Sequence, residues 1–256
     1  MTKQLHFLSG LPRSGSTLLT KLLNQHPDLF ASSTSPFLDY LLPAAQHLHN
    51  IKNNHSAGHY VNVQRILSTA AFAFYDTDKP QIIDKNRGWI TNYEAINQEL
   101  QQDPKIILTL RPIEEVVASF YKIINHTNHG NESPEQIFLG RVSEVYQQLM
   151  EKSYLKDKLQ IVTYKEMTET PIQTLKRIED YLCVENHQFQ INNIVDDDPE
   201  DDSKWGIDGL HKIRSSISVT SLTPESVMTK SELNFCKQLT KDLYNAYGIS
   251  DQISIL

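Results

Sequence analysis

Residues 5–23 read LHFLSGLPRSGSTLLTKLL, and this stretch decides the fold. A short apolar run breaks into a turn bracketed by Gly10 and Gly15, then resumes with apolar residues at helical spacing, the pattern of a strand, a phosphate loop and a helix. Gly10 and Gly15 stand five apart, as in the G-x-x-x-x-G-K-[ST] phosphate loop, and Thr17 falls where that motif carries its hydroxyl. Ser16 occupies the lysine position. The loop can aim backbone N–H groups and a helix N-terminus at an anion, but its cation lies inside the turn, at Arg13. A nucleoside triphosphate site wants its lysine at the β and γ phosphates and a magnesium ion held by the hydroxyl and an acidic partner, and neither requirement is plainly met. Arg13, Ser14, Ser16 and Thr17 better suit a ligand with one fewer charged group in the cradle and no metal. The competing reading is a glycine turn that binds nothing, and packing alone gives little reason for that collection of polar residues in a strand-to-helix turn.

The chain of 256 residues accommodates one sizeable α/β domain, and no composition shift divides it, so a single domain over residues 1–256 is expected. The net charge of −7 argues against a general nucleic-acid or anionic-membrane binder, which needs a broad basic surface. Cys183 and Cys236 lie far apart without metal spacing, so reduced thiols are expected rather than a disulfide framework or zinc site. The pairs His47 and His49, and His55 and His59, lack further ligands at recognisable spacing and read as surface histidines. No apolar run is long enough for a membrane span, and the apolar start is too short for a signal peptide. A soluble, cytoplasmic protein without nucleic-acid partners is the expectation, and its oligomeric state is not readable.

Further along, Phe30–Pro36 reads as a polar segment that ends one element and caps the next. A helix interrupted by Pro43 follows, then a polar loop over 49–59 and a helix over Val61–Tyr75. Pro80–Trp89 reads as a short buried strand whose C-terminal end delivers Asp84, Lys85, Asn86 and Arg87, the place where α/β sheets build sites. After an amphipathic helix over Asn92–Gln102, Lys105–Leu110 forms a strand that ends in Arg111-Pro112 and opens the helix Ile113–Ile124. Ser119 lies eight residues after Arg111, about two turns in, so one anion beside the helix can touch both side chains. A loop of turn formers over 125–135, a long helix over Ile137–Met150, a strand over Leu159–Tyr164 and a helix over Pro171–Leu182 come next. The acidic run over 196–202 reads as a mobile, solvated loop, with a lid over an acceptor as the alternative. The sequence closes with a basic and hydroxyl cluster at His211–Ser216 and a final helix over Pro224–Tyr247. Alternating strands and helices give an α/β fold, a single P-loop-like domain with a largely parallel central sheet flanked by helices.

Residues 10–19, GLPRSGSTLL, resemble the 5′-phosphosulfate loop of sulfotransferases that use 3′-phosphoadenosine 5′-phosphosulfate (PAPS), closest to the form in tyrosylprotein sulfotransferases and their bacterial relatives. The His-Pro pair in Asn24–Asp28 is similar to that group as well. The resemblance implies that Gly10, Pro12, Arg13, Ser14, Gly15, Ser16 and Thr17 cradle the 5′ phosphate. Arg111 and Ser119 match the family's 3′-phosphate pair in type and separation, Tyr164 its nucleotide-contacting tyrosine, and Lys212, Arg214 and Ser215 its closing segment. Arg13 and Lys85 become the catalytic cations. The implied activity is transfer of a sulfuryl group from PAPS, leaving 3′,5′-phosphoadenosine (PAP), to a hydroxyl or amine of a small-molecule or peptide acceptor, with no metal. The family's glutamate position aligns with Thr34 and Ser35, and its histidine position with Arg87, so Asp39 and Asp84 are the substitutes for the general base. A phenol asks less of such a base than an aliphatic alcohol does. A P-loop kinase, a non-catalytic PAPS-binding module and an interaction protein with an empty loop remain the alternatives.

Overall fold

From the N-terminus the chain forms β1 (Gln4–Gly10), α1 (Ser16–Leu23), β2 (Leu29–Thr34), α2 (Phe37–Asn50), α3 (Lys52–Ser56), α4 (Tyr60–Phe74) and β3 (Gln81–Lys85). There follow α5 (Tyr93–Leu100), β4 (Ile106–Leu110), α6 (Ile113–His126), α7 (Pro134–Ile137), α8 (Ser143–Glu151) and β5 (Leu159–Thr163). The helices α9 (Tyr164–Glu169), α10 (Pro171–Leu182) and α11 (Lys230–Ala246) complete the order. The computed structural model describes residues 3–56, 58–100, 105–126, 131–196, 199–207, 209–217 and 223–250, excepting the side chains of residues 55, 60, 61, 126 and 205.

The strands pair in the order β2-β3-β1-β4-β5, every neighbour parallel. Parallel strands need long crossovers, which the helices supply, and so all five strands leave the sheet at one edge. Register sets what meets there. Leu8 lies opposite Lys85, Thr34 opposite Lys85 on its other side, Gly10 opposite Thr109, and Leu110 opposite Thr163.

Both faces of the sheet are covered, as parallel sheets require, and the two-residue strand period divides the core. Phe7, Ile82, Ile106 and Leu108 pack on one face with Trp89, Leu38, Leu67, Val116 and Leu243. Leu8, Ile83, Ile107 and Val162 pack on the other with Leu19, Leu22, Leu175 and Ile178.

The segment expected to be a mere cap, Phe30–Pro36, contains the edge strand β2. Its hydroxyl-rich sequence hides a strand because one pairing edge is open and a bulge lies between Ala31 and Thr34. There Ser32 Oγ accepts a hydrogen bond from the Lys85 amide at 2.9 Å. Pro43 lies inside α2 without ending it, and the loop expected over 49–59 contains the short helix α3. The long helix expected over Ile137–Met150 is interrupted by a π-helical turn, Phe138–Val142, around Gly140. Ser133 and Gln136 form a capping box at the start of α7. The final helix starts only at Lys230, where Thr229 and Glu232 make another capping box. The C-terminal part of the predicted helix over Asn92–Gln102 and part of the loop over 125–135 lie outside the described residues.

Gly10 has φ 144°, and a Cβ there would lie 2.2 Å from the Thr109 backbone oxygen. Gly10→Ala is therefore expected to cost ~2–4 kcal/mol through both clash and strain. Gly206→Ala, with φ 67° and nothing within 4 Å of the added Cβ, should cost about 1–2 kcal/mol from strain alone. Urea unfolding midpoints of the two variants test the difference.

Candidate active site

The loop between β1 and α1 is shaped by three residues with positive φ: Gly10, Arg13 at 58° and Gly15 at 90°. Glycine tolerates that region, whereas an arginine there has to be held by its surroundings. Arg13 is held on several sides. Its Nε donates to Ser119 Oγ at 3.2 Å, its Nη1 donates to the Leu210 carbonyl, and its own carbonyl accepts from Arg111 Nη1 at 3.1 Å. Burial first, and then the Arg111 charge, pull the Arg13 guanidinium down to about 10. Gly15 caps α1 without a side chain of its own. A Cβ on Gly15 would meet Met167 Cε at 2.3 Å and the Tyr164 ring at 3.0 Å, so α9 packs directly on the loop.

Arg111 leaves the end of β4 and stacks over the Tyr164 ring, 3.9 Å from its centre. Arg111 Nε also donates to Glu115 Oε2 at 3.0 Å, one helical turn on. On the opposite side of the loop, Lys85 Nζ reaches Thr17 Oγ1 at 3.3 Å and Glu200 Oε1 at 2.6 Å. Burial lowers the proton affinity of Lys85 despite the opposing pull of Glu200, and burial likewise lowers that of Arg87.

Most of these side chains, though not Glu200 or Met167, line one cavity of about 510 Å³, inside the size range of small-molecule sites, which is ~300–1,000 Å³. Of the residues expected in the site, Gly10, Pro12, Arg13, Gly15, Ser16, Thr17, Lys85, Arg111, Ser119, Tyr164, Lys212 and Arg214 line it. Its cationic wall, its phosphate loop and the α1 N-terminus fit a nucleotide carrying anionic groups at both ends.

Four expected residues stand elsewhere. Ser14 is fully buried, with Oγ donating to the Leu11 carbonyl at 2.5 Å and bonded to Thr109 Oγ1 at 2.7 Å, so its side chain braces the loop from behind. Ser215 is exposed, and its neighbour Ser216 lines the cavity in its place. Asp39 is exposed on α2, outside the cavity lining. Asp84 is fully buried in the sheet, where its Oδ1 accepts from Trp89 Nε1 at 2.6 Å. Strand alternation explains Asp84: Lys85 is delivered to the cavity, so its neighbour turns to the opposite face.

The acidic run over 196–202 is only partly solvated where it is described: Pro199 and Asp201 are exposed, while three of its acids are paired. Asp196 Oδ1 pairs with Lys21 at 2.9 Å, Glu200 with Lys85, and Asp202 Oδ1 with His211 Nδ1 at 2.7 Å. Residues 197 and 198 lie outside the described residues. Glu200 also accepts from the Thr34 amide at 3.2 Å. Its role is not legible from a run of like charges; the one signal is the cation cluster at β3 that needs a counter-ion.

A model of the sulfotransferase family matches residues 6–188. The chain belongs to the sulfotransferase family. It is 29% identical over 123 residues to the nodulation protein NoeE of Sinorhizobium fredii, a match covering 41% of this chain and 28% of that protein. The chain thus spans under a third of the length of the curated relative it matches. Among solved structures, a sulfotransferase from Alicyclobacillus acidocaldarius superposes with TM-score 0.57 at 12% identity, covering 98% of each chain. Mouse sulfotransferase SULT7A1 complexed with PAP gives 0.56 at 12% identity, covering 96% of this chain and 86% of that one. Both share the fold of this family member. Among the described residues no helix is long and apolar enough to cross a membrane.

Asp84 yields a stability test. Burial raises its carboxyl from 3.8 to about 6, so the folded state holds the proton more tightly than the unfolded chain. The stability this gives is full below the unfolded value and is lost as pH rises through about 6, a loss of roughly 3 kcal/mol. Asp84→Asn, which keeps an acceptor for Trp89, should flatten that dependence, and melting temperatures at pH ~4 and ~7.5 would show it.

Proposed function

We propose that this chain is a single-domain cytoplasmic enzyme that transfers the sulfuryl group of PAPS to a hydroxyl, or less readily an amine, of a small-molecule or peptide acceptor. The observation that carries the reading is the two-ended cationic cavity. Arg111, Ser119 and Tyr164 gather at one end and Lys85 and Thr17 at the other, with the phosphate loop between them. A ligand with phosphate at both the 3′ and 5′ positions of one nucleoside has that charge distribution.

When bound, PAPS supplies the activated sulfuryl group. In this reading the loop amides, Ser16 and Thr17 hold the 5′ phosphate. Arg111 and Ser119 hold the 3′ phosphate, and Tyr164 presents a ring to the nucleotide. Lys212 and Arg214 add positive charge from the C-terminal segment. Arg13 and Lys85 place fixed cations where negative charge grows on the bridging oxygen, and charge preorganised in this way supplies much of the rate acceleration in many group transfers. The PAP bound in the mouse relative supports the cofactor assignment.

Calorimetry with PAP, 5′-AMP and ATP plus magnesium tests the reading. PAP should bind best. Arg111→Ala should weaken PAP by ~10–100-fold, the worth of a charged hydrogen bond, and weaken 5′-AMP distinctly less, through the loop carbonyl that Arg111 holds. Tighter binding of ATP with magnesium, or undiminished PAP binding by Arg111→Ala, would overturn it.

A further inference from the structure

The cavity lacks an obvious base. Asp39 stands outside it, Asp84 is turned into the opposite face, and Arg87 and Thr34 or Ser35 occupy the positions where the family resemblance places an imidazole and a carboxylate. Glu115 lines the cavity but is held by Arg111 at the end away from Lys85. Among the described residues, two further carboxylates bond to side chains of the wall from behind it, Asp202 to His211 and Glu200 to Lys85, and only Glu200 stands beside Lys85. Glu200, only 9% exposed at its side chain, places Oε1 2.6 Å from Lys85 Nζ and 3.2 Å from the Thr34 amide. Its Oε2 is 3.4 Å from His211 Nδ1, and His211 is fixed in turn by Asp202, which accepts from the His211 amide at 2.9 Å and contacts Nδ1 at 2.7 Å. Thr34 is one of the two residues, with Ser35, that align with the family's missing glutamate. A carboxylate carried by a segment 166 residues later in the chain therefore arrives at that residue's backbone.

We propose that Glu200 is the general base of the transfer, taking the proton of the acceptor hydroxyl beside Lys85. This rests on the donor-site reading above. The acceptor oxygen forms its bond to sulfur as the bond between sulfur and the bridging oxygen of the 5′ phosphate breaks. The hydroxyl proton passes to the Glu200 carboxylate, and the electron pair of the broken bond stays on the bridging oxygen, facing Lys85. Lys85 and Glu200 hold one another at 2.6 Å. Once Lys85 turns to a bound anion, Glu200 loses its ion-pair partner and gains proton affinity.

The charged groups around Glu200 set the sign of that change. Burial raises its carboxyl, but the Lys85 charge and hydrogen bond, the Thr34 amide and His211 together hold it below the usual range. Arg87 adds positive charge from the end of β3, and Asp202 stands behind His211. Removing Lys85 from this set weakens the stabilisation of the anion, so the carboxylate becomes the stronger base.

Glu200→Gln keeps the shape and removes the base. With PAPS and a series of phenols as acceptors, its turnover with unsubstituted phenol should fall ~10²–10⁴-fold, the usual worth of general base catalysis. The deficit should shrink towards 4-nitrophenol, whose proton leaves without help, and the acidic limb of the wild-type pH profile should disappear. Glu200→Asp should recover part of the activity. A second readout needs no turnover. In a complex of protein, PAP and 4-nitrophenol, removing the neighbouring anion should let the bound nitrophenol ionise at lower pH, seen as the phenolate absorbance.

If Glu200 is only an internal counter-ion that obstructs the donor, Glu200→Gln will raise kcat/KM for PAPS with an equal effect on every phenol, and the assignment is overturned. Unchanged nitrophenol ionisation overturns it as well. PAP affinity separates the two levels of the argument: a wild-type protein that fails to bind PAP removes the donor site itself, whereas normal PAP binding with an indifferent Glu200→Gln removes only the base.

Discussion

Where β1 stops, Gly10 lies against the Thr109 backbone with no room for a side chain, and the remainder of the site depends on that contact. It lets the loop turn sharply over the end of β4, so that Arg13 comes within reach of Ser119 and Arg111. The parallel register does the rest. Because Lys85 pairs across from Leu8 and Thr34, the second cation reaches the same edge from the other side of β1. Backbone geometry places the charges, and the side chains then lock the backbone: Arg13 ties its loop to α6 and to Leu210, while Arg111 holds the loop carbonyl.

The central architecture was legible because β1, β3 and β4 are buried on both faces, and continuous apolar runs between glycine and proline signals have few other readings. The glycine spacing pointed to the loop, and Arg111 and Ser119, singled out eight residues apart, line the same cavity as that loop. β2 was missed because Ser32 and Ser33 read as punctuation, although Ser32 completes the sheet at a bulge through its side chain. Asp84 was misplaced because adjacency to Lys85 in sequence means opposite faces in a strand. Glu200 was hidden among like charges, since the order of residues does not say which of several acids turns inward; that depends on Lys85 and the Thr34 amide, which belong to distant segments.

Concentrating buried cations carries a solvation cost that the molecule offsets locally. Arg13, Lys85 and Arg87 all lose proton affinity to burial, and Glu115 and Glu200 each stand beside one of the cavity's cations. The acidic balance of the chain and its basic cavity are therefore not in conflict: some of the acid is the site's own neutralising charge.

On the donor-site reading, the Lys85–Glu200 pair also sets a threshold for anions. An anion that touches Lys85 alone has to displace a carboxylate already seated there, and it exchanges one ion pair for another. In that reading a nucleotide that engages Arg111 and Ser119 as well has a second grip to offset the displacement, so the pair would favour a ligand long enough to hold the cavity at both ends over a small anion.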